Sequence, residues 1–110
     1  MTITDALGAI CAELKRAECK FPTFPVDPVH AAAVVIEEAG ELQRAALQFT
    51  YESVGYEDLY CEAIHTGAMA LRFLCHIELM KKRPSEQVER VTGIAQQAQP
   101  KMPLDTMDGN

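Results

Sequence analysis

Apolar residues recur along this chain every three or four positions, the spacing of amphipathic helices, and no stretch alternates as a half-buried strand would. The first such stretch carries Ile3, Leu7, Ile10 and Leu14 and predicts a helix over residues 3–19, capped by Thr2 or Thr4. Phe21-Pro22-Thr23-Phe24-Pro25-Val26-Asp27 breaks the period, since its two prolines end any helix and set an extended loop. Asp27-Pro28 then reads as N-cap and N1 of a second helix reaching about Phe49: the carboxylate accepts from free N–H groups where proline has no donor to lose. A short connection over 50–56 contains Gly55. A third helix is predicted from Glu57 to Lys82, where Lys81, Lys82 and Arg83 suit the negative end of the helix dipole. Pro84 and Ser85 open a weaker fourth helix to about Gln97. The expected architecture is all-α, an antiparallel helical bundle subunit, with one domain over 1–98 and a flexible tail over 99–110.

The faces of the second and third helices hold the candidate chemistry. Glu37, Glu38 and Glu41 fall within a sector of about 100°. Like charges that close destabilise a helix unless a cation lies between them. Glu37 lies near Arg44 and Gln48, as a solvated acid should, but Glu38 is flanked by Val34 and Ala45 on one side and by Ala31, Leu42 and Phe49 on the other. An acid inside an apolar sector is costly unless it is paired or metal-bound. The third helix is apolar nearly all round, which marks it as central. Its polar residues Asp58, Glu62, His65, Arg72 and His76 gather in one stripe. Facing stripes of this kind build metal sites in helical bundles. Glu37 or Glu38, Glu41 and Glu62 are therefore expected to ligate Mg2+, with Mn2+ as the alternative ion and Asp58, one turn before Glu62, as a further ligand.

Composition narrows the partners. A chain of 110 residues fits one domain, and its net charge of −6 disfavours a nucleic-acid polymer, which needs basic surface. It leaves room for a nucleotide, because bound cations reverse the local sign. No apolar run reaches the ~18 residues of a membrane span, and no basic-then-apolar leader opens the chain. Cys11, Cys19, Cys61 and Cys75 show no metal-binding spacing and read as small apolar residues in a reducing, cytoplasmic setting.

The remaining candidates each carry two readings. His65, three residues after Glu62, is a groove histidine or a group that orients a carboxylate, meets phosphate or ligates a softer metal. His30 is an exposed first-turn residue or a phosphate contact, and His76 reads as structural or exposed. Arg72 meets phosphate or pairs with Glu62 or Asp58. Phe21 and Phe24 plug the bundle end or stack on a base. Lys15, Arg16 and Lys20 are solvated, or one of them neutralises a triphosphate.

The stretch His30-Ala31-Ala32-Ala33-Val34-Val35-Ile36-Glu37-Glu38-Ala39-Gly40-Glu41-Leu42, followed by Glu62-Ala63-Ile64-His65, resembles the MazG-like all-α nucleoside triphosphate pyrophosphohydrolases, whose signature is E-E-x-x-E and then E-x-x-D. The likeness spans roughly residues 28–75. The Phe21–Pro25 loop and the run from Gly67 to Leu74 are similar to small single-domain members, many from bacteriophages. The resemblance implies Mg2+-dependent cleavage of a nucleoside triphosphate to monophosphate and pyrophosphate. It also implies a homodimer or dimer of dimers, with Glu37, Glu38, Glu41 and Glu62 as metal ligands. His65 stands where the signature has aspartate, which places the fourth acidic ligand in question and motivates a second reading, a nucleotide sensor without turnover. A helical module whose acidic groove takes a basic partner is the third.

Overall fold

The computed structural model describes residues 1–81; the expected fourth helix, the domain limit at 98 and the tail fall outside the described residues. Residues 1–80 make one compact unit of three helices and a final turn: α1 (Ile3–Lys20), α2 (Pro28–Tyr51), α3 (Glu57–Cys75) and α4 (Ile77–Met80). The described residues contain no strand, so the class is all-α.

Local chemistry sets the helix starts. Thr2 Oγ1 accepts from the Asp5 N–H at 3.0 Å while the Asp5 carboxylate accepts from the Thr2 N–H at 3.2 Å, a reciprocal capping box. Asp27 accepts from the His30 N–H at 3.3 Å, and Pro28 occupies the first turn of α2. α3 follows Tyr56, whose side chain makes no capping bond, but Glu57 and Asp58 sit at the positive end of its dipole. The turn before it bends through Ser53, at φ 59° in the left-handed region.

α3 stops at Cys75, short of the Lys82 expected from periodicity. His76 leaves helical geometry (φ −107°, ψ 8°), and its ring Nδ1 reaches the Arg72 carbonyl at 2.9 Å, where it competes with the helical ladder. The same ring packs on Phe24 at 5.2 Å between centroids. A tertiary contact thus ends a helix that the apolar pattern would have continued.

α3 packs against α1, α2 and α4. Ala17, Ala68 and Met69 form the buried cluster, with Ile10, Leu14, Phe24, Val34 and Val35 packed onto it. Small residues let the helices approach: a Cβ on Gly67 would lie 2.8 Å from Ile10 Cδ1. Ile3 and Leu7, expected on the buried stripe, stand exposed, as do all four cysteines, which are unpaired thiols rather than core residues. No described helix is long and apolar enough to cross a membrane.

Candidate metal centre and cleft

The contacts of α1 and α2 with α3 leave a cleft of about 400 Å³. Glu13 of α1, Glu38 and Glu41 of α2, and Glu62 and His65 of α3 line it, together with the Phe21–Pro25 loop and Arg72. Its volume falls within the range of small-ligand sites, and it offers both carboxylates and aromatic surface.

His65 is the hub of the acidic part. Its Nδ1 lies 3.4 Å from Glu62 Oε1 and 4.0 Å from Glu38 Oε1, and its Nε2 lies 3.6 Å from Glu13 Oε2. One ligand atom each from Glu38, Glu62 and His65 lie within 4.8 Å of one another. Glu38 Oε1 and Glu62 Oε1 are buried and make no hydrogen bond, although both lie within ion-pair range of the imidazole. Buried carboxylate oxygens without donors are costly. They are also the oxygens a divalent cation takes as ligands, so the residues present fit one.

The acids of the cleft differ in their electrostatics. Burial, and next the charge of Glu41, push the Glu38 carboxyl above its ordinary value; Glu62 and Glu37 push the same way and His65 opposes them. Glu13 moves the opposite way, held down mainly by its hydrogen bonds from Arg16. Arg16 grips it through two donors, Nε at 2.9 Å to Oε1 and Nη2 at 2.5 Å to Oε2.

Arg72 is 3% exposed and pairs with neither Glu62 nor Asp58. Its Nη2 donates to the carbonyl oxygen of Phe21 and, at 3.5 Å, to that of Thr23; its guanidinium lies 5.1 Å from the Phe24 ring centre. Arg72 therefore fastens the proline-rich loop to α3 and fixes the wall it gives the cleft. Phe24 takes the plugging role, packed on the core, whereas Phe21 stands exposed at the rim.

Four expected site residues are not brought into the cleft. Glu37 is exposed and lines a shallow apolar hollow with Val29, Ile36 and Phe73; one residue is about 100° of helix, enough to turn it away from Glu38. Asp58 is exposed in the first turn of α3, a full turn before Glu62. His30 is exposed at the start of α2. Lys20 is exposed, with its amine 5.5 Å from the Phe21 ring centre. Glu13, which the spacing of the acids in α2 and α3 does not single out, joins the cleft from α1. The signal was present: Ile10, Glu13 and Ala17 share one helical row, so Glu13 is an acid within an apolar stripe, just as Glu38 is.

No protein-family model, curated protein or solved structure matches this chain.

Proposed function

We propose that the chain is a divalent-ion-dependent nucleoside triphosphate pyrophosphohydrolase of the MazG-like kind. The observation that carries this reading is the pair of donor-less, buried carboxylate oxygens of Glu38 and Glu62, within ligand distance of His65, in a cleft walled by an aromatic loop. An acidic group alone fits many partners; acids that share a cleft with Phe21 and Phe24 fit a ligand with a polyanionic end and a flat apolar end. Glu38 and Glu62 would hold Mg2+ or Mn2+, which supplies positive charge for phosphate oxygens and a bound water of lowered pKa. Glu41 lines the cleft outside the three-residue ligand group and serves as the base that takes the proton from the attacking water. Water attacks at the α–β phosphoanhydride, which leaves a nucleoside monophosphate and pyrophosphate. Phe21 offers a face for the base, and the loop that carries it is held by Arg72.

In this reading the chain is one subunit of an antiparallel helical bundle assembled as a homodimer or dimer of dimers. The exposed Val29, Ile36 and Leu74 support it.

The test is pyrophosphate release from a panel of common and modified nucleoside triphosphates with Mg2+ or Mn2+. Turnover is expected for at least one substrate, and Glu38→Gln and Glu41→Gln should lower it by at least about a hundredfold. The alternative of a nucleotide-binding sensor rests on His65, which lies among three carboxylates at the position where the resembled signature has aspartate. Calorimetric binding without product formation would select it.

A further inference from the structure

The imidazole of His65 has carboxylates beside both nitrogens, from three different helices. Nδ1 faces Glu62 of its own helix and Glu38 of α2, while Nε2 faces Glu13 of α1. Glu13 is itself immobilised by the two-donor grip of Arg16. Proteins that prepare a metal-binding histidine set a carboxylate on one side of the ring and leave the other nitrogen's lone pair for the ion; Glu13 Oε2 stands on that side at 3.6 Å from Nε2, an ion-pair distance just beyond hydrogen-bond reach. On the ion's side stand the two carboxylate oxygens that are buried and have no donor.

We propose that His65 Nδ1 is an ion ligand, that Glu13 is its positioning residue, and that the resulting Glu38–Glu62–His65 set prefers a borderline ion of the Mn2+ kind over Mg2+. The inference rests on the proposed ion-dependent function and names the ion class for that site. Its physical basis is the mixed donor set. Mg2+ demands near-octahedral oxygen coordination and gains little from imidazole, whereas first-row transition ions accept nitrogen and oxygen together. Arg16 and Glu13 act through His65 and need not touch the ion or the nucleotide. The simpler role for the same geometry is a histidine packed among three acids that binds no ion; the two differ in what Mn2+ does.

The experiment is direct binding on the full chain, free of nucleotide and again with a non-hydrolysable α,β-imido triphosphate. Loss of the free-Mn2+ paramagnetic resonance signal measures Mn2+, and competition measures Mg2+. The expected result is Mn2+ binding at least about tenfold tighter than Mg2+, a preference removed by His65→Ala. Glu13→Gln should weaken Mn2+ about tenfold while leaving Mg2+ nearly unchanged. His65→Asp, with a hard oxygen in place of nitrogen, should shift the preference toward Mg2+, which separates ligation from mere folding. Circular dichroism melts of each variant confirm that it is folded. Equal affinities for the two ions, or a Mn2+ affinity indifferent to His65, overturn the inference while pyrophosphate release still stands. No binding of either ion, with no turnover, removes both.

Discussion

At the scale of single residues, Glu38 holds the clearest tension in the molecule. Its carboxyl is partly buried, has Glu41 and Glu62 as neighbours, and keeps one oxygen without a donor. Its folded-state pKa lies above the ordinary 4.5, so the folded protein binds this proton more tightly than the unfolded chain does. The charged form therefore costs stability, and the cost is present at neutral pH and absent below about 4.5, where the group is protonated in both states. In metal-free buffer, Glu38→Gln should raise the melting temperature at pH 7, and the gain should shrink as pH falls toward 4.5. Thermal melts across that range measure it. Such a gain marks a charge that does not serve the stability of the fold. Glu13 carries the opposite sign: its lowered pKa stabilises the fold at neutral pH, and that contribution is lost as pH falls. Sequence spacing marked Glu38 as unusual, but it also grouped Glu37 and Asp58 with it. The choice among neighbouring acids depends on which side of each helix the partner covers.

At the scale of elements, the cleft depends on how closely α1 approaches α3. Gly67 sets that approach, because a Cβ there would meet the Ile10 side chain at 2.8 Å. Gly67→Leu should force the helices apart, cost about 1–3 kcal/mol in urea denaturation, and carry Glu13 away from His65. Metal affinity of the surviving folded fraction should fall with it. The Phe21–Pro25 loop illustrates the same dependence. Its prolines make it a loop, but its position comes from Arg72, which binds two of its carbonyls from 49 and 51 residues away in sequence. The break at His76 has a similar origin, a ring drawn to Phe24 and to the Arg72 carbonyl. Helix starts were legible from Thr2, Asp27 and Pro28 because capping is local; the end of α3 was not, because its cause lies on a loop 52 residues earlier.

At the scale of the whole molecule, the buried apolar residues are few, four alanines and two methionines among the described residues. Val29 (78% exposed) and Ile36 (68%) instead face outward beside a hollow lined by Ala32, Ala33 and Phe73. Exposed apolar surface of this extent is costly in a monomer. Light scattering behind size exclusion should give a mass at least twice the 12.1 kDa of one chain, and Ile36→Glu should drive it toward the monomer. A monomer at all concentrations would contradict that expectation.

Residue order alone is enough for the helical class, the bounds of α1 and α2 to within two residues, their caps, and the presence of acids where a solvated helix would not place them. These depend on periodicity and on bonds between residues at most four apart, which the order of residues states directly. Only the tertiary structure decided that Glu38 and not Glu37 enters the cleft, that Glu13 joins from α1, that His65 stands between acids of three helices, and that Arg72 binds a loop instead of an acid. Those outcomes follow from helix rotation and interhelical distance, which packing around Ala17, Ala68 and Met69 fixes and no local pattern encodes.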